Sequence, residues 1–390
     1  MPQSRPTPLL PPLAIYVHVP WCVRKCPYCD FNSHAAKAQD IPEAAFLAQI
    51  KADILQDAPL AQGRRAQSVF FGGGTPSLLS ANAIRQIIGW LKEFVGFTDD
   101  AEVTLEANPG TFEAEKFAGF YKAGVNRLSI GVQSFQDPFL QTLGRIHSAE
   151  DAIAAIKQAK QVGFINFNID LMHGLPDQTQ EQALADLAQA VALSPTHISW
   201  YQLTIEQNTE FYRQPPVLPE DDTLWDIQQA GQDYLASEGF SRYEVSAYAK
   251  GNHRSQHNLN YWRYGDYLGI GPGAHGKFTK LSGTLDIVRT RKTRLPKDYL
   301  STTRPLVRIE EPVVMIDRPF DYFINTLRIR EPVSLNHFQA ATGVPLADIE
   351  SVLRELESKQ WIKRNGDLFD TTETGFLYLN ELLTYWLEES

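Results

Sequence analysis

From Leu13 to about Thr204 the chain alternates short β-branched or aromatic runs with longer segments whose apolar residues recur three and four apart. This is the pattern of parallel strands joined by crossover helices. The strand-like runs are Ala14 to Val19, Ser68 to Gly72, Glu102 to Glu106, Arg127 to Gly131, Phe167 to Met172 and His197 to Thr204. Between them Pro42 to Gln56, Ala81 to Phe94, Glu113 to Ala123, Ala149 to Val162 and Gln180 to Ala192 have the period of surface-packed helices. Six such units predict an α/β fold, an incomplete TIM-like (β/α)6 barrel.

In sheets of this kind functional groups gather just past the carboxyl ends of the strands. The first strand-like run is followed by Cys22, Cys26 and Cys29, spaced C-x-x-x-C-x-x-C, and all 3 cysteines of the chain stand there. The second is followed by Gly72-Gly73-Gly74-Thr75-Pro76, the third ends in Glu106-Ala107-Asn108-Pro109, the fourth runs into Gln133-Ser134, and the fifth carries Asp170 and His173. Three thiols on one short loop suit three irons of a [4Fe-4S] cube and leave the fourth iron open. A zinc site would need a fourth ligand such as His18 or His34, and structural zinc usually draws its cysteines as pairs from two separate knuckles.

A chain of 390 residues predicts two or three domains. Residues 1–13 hold five prolines and no secretory apolar stretch, and are expected to form an extended tail. The partial barrel is expected over 14–210, followed by a barrel extension over 211–300. Pro219 to Tyr248 reads as a helix and a short strand, and Gly251 to Phe278 as a loop dense in His, Asn, Tyr, Trp and Gly. Residues 277–297 carry seven Lys or Arg against one Asp, a solvated stretch or a site for propionate or phosphate. Over 301–390, helices at Leu335 to Ala341 and Leu346 to Lys359 meet at Gly343, and Asn365-Gly366 marks a hairpin, the outline of a winged-helix-like α+β domain. Its nine basic against fifteen acidic residues, and the net charge of −10 for the chain, argue against nucleic acid as a partner. With no apolar run of membrane-spanning length, the protein is expected in the cytoplasm.

The cysteine spacing, Tyr28 before the third cysteine, Tyr16-Val17-His18-Val19-Pro20, Gly72 to Ser77, Glu106-Ala107-Asn108-Pro109, Ser129 to Phe135, Leu143 to His147, Asp170 to Pro176 and the Tyr243-Glu244 region together resemble the radical S-adenosylmethionine (SAM) proteins. Within them the chain is similar, over 14 to about 385, to the branch that holds the anaerobic coproporphyrinogen III oxidases and the heme chaperones. The resemblance implies a [4Fe-4S] cluster on Cys22, Cys26 and Cys29. Its open iron would chelate SAM, which an electron cleaves to a 5′-deoxyadenosyl radical. It implies SAM contacts from Gly73, Gly74 and Thr75 and from Glu106, with Tyr16 and Tyr28 near the first SAM; Tyr16 fits a strand core position equally well. Gln133, Arg145 and Asp170 match positions that line a second SAM site in the oxidase, and an amide, a guanidinium and a carboxylate can hold a zwitterion.

Two departures separate the chain from the oxidase pattern. Phe31 stands where the oxidase has a further cysteine, and only about thirteen residues precede the first strand, where the oxidase has a longer arm. His257-Asn258-Leu259-Asn260-Tyr261-Trp262 instead matches the H-N-x-x-Y-W motif of the heme chaperones. The resemblance therefore implies a protein that binds heme and hands it to acceptor hemoproteins, with the oxygen-independent oxidase as the alternative. His257 is the first candidate for the iron ligand, with His253 and His275 in the same stretch. Transient contact with membrane-bound acceptors stays open.

Overall fold

The structure, a computed structural model, describes residues 10–110, 114–281 and 285–387. Residues 1–9 of the expected tail, and Glu113 at the start of an expected helix, lie outside them. Six parallel strands lie side by side in chain order: β1 (Leu13–Val19), β2 (Ala66–Gly73), β3 (Phe97–Ala107), β4 (Arg127–Gln133), β5 (Asn166–His173) and β6 (His197–Gln202). They are joined through helices α1 (Glu43–Asp57), α2 (Ala81–Phe94), α3 (Phe117–Ala123), α4 (Ala149–Val162) and α5 (Gln180–Ala192). Strand β1 is buried on both faces apart from Tyr16, as a strand covered by helices must be. The helices begin where the sequence supplies caps: Ser80 accepts from the Ala83 N–H, and Ser148 with Asp151 and Thr179 with Gln182 form capping boxes. Helix α2 turns Ala83, Ile84, Ile87, Ile88 and Leu91 onto the sheet, where they join the main core.

Beyond β6 the helix and short strand expected over Pro219 to Tyr248 are present, and the chain departs from expectation only after them. Helix α6 (Asp221–Ser237) leads to β7 (Ala247–Ala249), which pairs antiparallel with β6. The stretch expected as a loop at Gly251 to Phe278 is mostly regular: α7 (Gln256–Trp262), then β8 (Asp266–Ile270), which adds a seventh parallel strand on the outer edge of β1. Periodicity missed β8 because five residues containing two aliphatics give almost no pattern; its register is fixed from outside. The Asp266 carboxylate accepts from Arg64, Lys277 and the N–H of Thr279, which ties β8 to its neighbours. Strands β9 (His275–Leu281), β10 (Leu285–Lys292) and β11 (Arg308–Pro312) extend this edge antiparallel, and with the short Ser241–Arg242 strand beside β7 the sheet has twelve strands among the described residues. The basic residues of this edge are largely spoken for: Lys277 by Asp266, Lys292 by Asp53 and Asp57, and Arg289 by Asp321.

Strand β11 falls in the segment expected to open the small domain, yet it belongs to the large sheet. After it come α8 (Arg318–Thr326), β12 (Val333–Ser334), α9 (Leu335–Thr342), α10 (Leu346–Ser358), β13 (Ile362–Asn365) and β14 (Leu368–Thr371), with the strands in the order β12-β14-β13. This is the winged-helix-like arrangement, closed around Phe323, which stacks on Phe338 and Trp386 at centroid distances of 5.1 and 4.1 Å. Among the described residues no helix is long and apolar enough to cross a membrane.

Candidate functional site

Past the end of β1, Trp21–Cys22 pairs in parallel with His34–Ala35 and closes the cysteine loop at its base. The loop is pinned from three sides. The N–H groups of Gly74 and Thr75 donate to the carbonyls of Val19 and Trp21 at 2.7 Å, the Ala36 N–H donates to the Cys22 carbonyl, and the Cys29 N–H donates to the Cys26 carbonyl. The Asn32 side chain donates to the carbonyls of Pro272 and Arg294 on the β8–β10 edge. The glycines after β2 are demanded by this packing as well as by any ligand. Gly73 has φ +115° and a Cβ there would lie 2.5 Å from the His18 ring, while a Cβ on Gly74 would lie 2.4 Å from the Trp21 carbonyl oxygen.

A cavity of about 290 Å³ opens between this loop and the strand ends. Its walls include Cys22, Cys26, Cys29, Tyr28, Gly73, Gly74, Thr75, Glu106, Gln133, Arg145 and Asp170, so eleven of the twelve residues singled out for the cluster and SAM meet in one space. Burial raises the thiols of Cys22 and Cys29, against the hydrogen bond each receives from Ser33, so without iron both stay protonated. Among the described residues no group of three or more His, Cys, Asp or Glu side chains converges on a point that would hold a single metal ion. Three sulfurs spread along one cavity wall fit a cluster that takes one thiolate per iron.

The opposite wall is polar and incompletely satisfied. The Glu106 carboxylate accepts from the Gly73 N–H at 3.2 Å. Burial and the neighbouring Asp170 push its pKa up to about 8. Asp170 accepts from Ser129 and Asn168 at 3.0 and 2.7 Å, and burial raises it too despite these donors. Arg145 donates to Asn108 and to the Gly131 carbonyl at 2.6 Å and reaches the Cys26 sulfur at 3.8 Å, while its buried Nε has no partner. Burial opposes its charge, but Tyr28 and Cys26 outweigh that and hold it ionised. Gln133 sits at φ +74° beside a register shift in β4, where its side chain accepts from the Tyr201 hydroxyl at 2.6 Å. A non-glycine residue held in the left-handed region at a cavity wall is the kind of strain that functional sites retain. Tyr201 was not singled out from the sequence, its only signal a place near the end of a strand, and Ser129 entered only as the first residue of a matched motif, with no role of its own.

Tyr16 and His257 lie elsewhere. Tyr16 lines a second, larger cavity of about 720 Å³ next to the first, with Gly73, Glu106 and Phe31 common to both. Its hydroxyl is 3.0 Å from Nδ1 of His18, whose Nε2 meets the Asn32 carbonyl. His257 does not stand on a loop as expected. It is on α7, 1% exposed, with Nδ1 3.1 Å from the Ser68 hydroxyl, Nε2 3.0 Å from the Tyr261 hydroxyl, and its ring stacked on Phe70 at 5.0 Å. Both ring nitrogens are engaged inside the protein, so in this conformation His257 offers no lone pair to an iron. What it does is hold Tyr261, which lines the larger cavity.

The model of the Radical SAM superfamily matches residues 16–189, and that of the HemN C-terminal domain matches 315–378. The heme chaperone HemW of Haemophilus influenzae is 50% identical over 386 residues, 98% of this chain and 100% of that protein. The chain belongs to the HemW family. The heme chaperone HemW of Escherichia coli strain K12 is 48% identical over 97% of this chain and 99% of its own length. Among solved structures, the coproporphyrinogen III oxidase HemN of Escherichia coli, described as a radical SAM enzyme, superposes with a TM-score of 0.80 at 23% identity, over 97% of this chain and 90% of that one. At that identity the likeness speaks for the fold, which HemW and HemN share across barrel and C-terminal domain. Membership of the radical SAM superfamily implies a [4Fe-4S] cluster and SAM, and the smaller cavity has the donor set for both.

Proposed function

We propose that this protein is a heme chaperone, which binds heme beside a [4Fe-4S] cluster and SAM and delivers the heme to acceptor hemoproteins. The observation that carries it is the 50% identity with a heme chaperone over 98% of this chain, joined to a cysteine-lined cavity that shares lining residues with a second cavity of about 720 Å³, room for a large ligand. Cys22, Cys26 and Cys29 hold the cluster. When bound, it supplies an iron without a protein ligand and an electron for reductive SAM cleavage. Main-chain groups of Gly73, Gly74 and Thr75 line the amino-acid end of SAM, Glu106 takes a cationic or hydroxyl group of it, and Tyr28 packs against it. Arg145, with its free Nε, Gln133 and Asp170 form the polar far wall, able to hold a second zwitterion. His257 serves heme binding at one remove, by fixing Tyr261.

Titration of the full-length chain with hemin, followed by absorbance and by co-elution on gel filtration, tests the reading. Saturable binding near one heme per chain is expected; heme that partitions without saturation overturns it. The second reading, an oxygen-independent coproporphyrinogen III oxidase, is favoured by the intact cysteine cavity within the HemN fold. The exposed Phe31, 60% accessible at the lip of both cavities, is where the family resemblance expects the oxidase's further cysteine.

A further inference from the structure

The larger cavity has a wall that the cysteine-lined cavity does not share. Residues His275, Arg291 and Ile309 stand directly opposite one another on β9, β10 and β11, so their side chains share one face of the sheet edge. Arg294 follows two residues beyond β10, and all four line the cavity. Its rim is apolar and uncovered: Phe31, Val307 and Ile309 are 60%, 43% and 41% exposed. The cations are accessible as well. Arg291 shares an exposed ion pair with Glu311, while Arg294 has no carboxylate partner among the described residues. Neither ring nitrogen of His275 has a hydrogen-bond partner among them either, which sets it apart from His18, His197 and His257.

An open imidazole, two accessible guanidinium groups and an uncovered apolar rim around some 720 Å³ match a flat, apolar macrocycle with a central metal and carboxylates at one edge. The geometry points to this cavity as the seat of an iron porphyrin, with His275 facing the iron and Arg291 and Arg294 taking the two propionates. The assignment rests on the heme-carrying function proposed above and moves the iron ligand from His257 to His275. Partial burial and the charges of Arg291 and Arg289 hold the His275 pKa below its ordinary value, which keeps its lone pair free at neutral pH. Because Gly73 and Glu106 line both cavities, heme seated here lies against the SAM pocket.

The test compares three probes on the full-length chain: hemin, metal-free protoporphyrin IX and protoporphyrin IX dimethyl ester. Wild type is expected to bind hemin tightest and the ester weakest. His275→Ala is expected to weaken hemin about tenfold and to shift its Soret band while leaving protoporphyrin IX unchanged, which also certifies the fold. Arg291→Gln with Arg294→Gln is expected to weaken hemin and protoporphyrin IX alike by about tenfold or more, as loss of charge-assisted hydrogen bonds does, and to leave the ester unaffected. Wild-type binding with the His275→Ala spectrum and affinity unchanged overturns the site and leaves the chaperone reading standing. Failure of wild type to bind hemin overturns both. If His275→Ala does not fold, His275→Gln, which keeps the volume, answers the same question.

Discussion

Glu106 offers a quantitative check on the SAM cavity. With its pKa near 8, the carboxyl is about 0.9 protonated at pH 7, and ionising it in the empty cavity costs ~1.4 kcal/mol. SAM brings its sulfonium into the space beside it, and a cation close by shifts a carboxylate back toward its ordinary range. Binding should therefore release about 0.9 of a proton from Glu106 at pH 7, about half at pH 8, and about 0.1 at pH 9. Isothermal titration of SAM into the cluster-loaded chain, in buffers of different ionisation enthalpy, counts these protons. Glu106→Gln supplies the reference, because any proton lost by SAM itself on reaching iron is common to both proteins. The sign follows from the raised pKa: the proton is held below pH 8 in the empty cavity and given up on binding. A difference between the two proteins that is zero at pH 7, or that grows toward pH 9, refutes the placement of a SAM cation beside Glu106.

Cys22→Ala, Cys26→Ala and Cys29→Ala should each abolish the visible absorbance of the reconstituted cluster, and an unchanged spectrum in any of them removes that cysteine from the ligand set. Gly74→Ala should also fail to assemble the cluster, since a Cβ 2.4 Å from the Trp21 carbonyl must displace the base of the cysteine loop; normal iron and sulfide content in that variant contradicts this. His257→Ala should spare the cluster, lower stability by about 1–3 kcal/mol through the unpaired Ser68 and Tyr261 hydroxyls, and weaken heme binding through loss of Tyr261 positioning. Burial lowers the His257 pKa to about 3, so its contribution is complete above about pH 6.5 and is lost as the pH falls toward 3. Denaturant titrations between pH 7 and 4 should show a shallower acid loss in His257→Gln than in wild type, and parallel curves contradict the buried neutral ring.

The six parallel strands and most of their helices were legible because each carries its own signal: a run of β-branched residues, a helical period, a cap. The cysteine cavity was legible for a related reason, since the fold rule that sends function to strand ends gathers Cys22, Gly73, Glu106, Gln133 and Asp170 from strands far apart in sequence. Strand β8 was not, because its register is set by Asp266 and its partners rather than by its own five residues. His257 was misplaced for a like reason. A stretch rich in His, Asn and Tyr reads as a loop, but here Ser68, Tyr261 and the backbone carbonyl of Asp266 satisfy its polar groups inside the fold. The basic stretch at 277–297 divides only in three dimensions, where Lys277 and Lys292 are buried against carboxylates while Arg291 and Arg294 stay exposed at the larger cavity.

In the proposed function, the radical SAM site serves a carrier of heme rather than a porphyrinogen decarboxylase. The most direct measurement is anaerobic: the full-length chain with its cluster reconstituted is supplied with SAM, an electron donor and coproporphyrinogen III, and protoporphyrinogen is quantified after oxidation to the fluorescent porphyrin. With the cluster intact, no product above the chain-free control is expected, and repeated turnover would contradict the account.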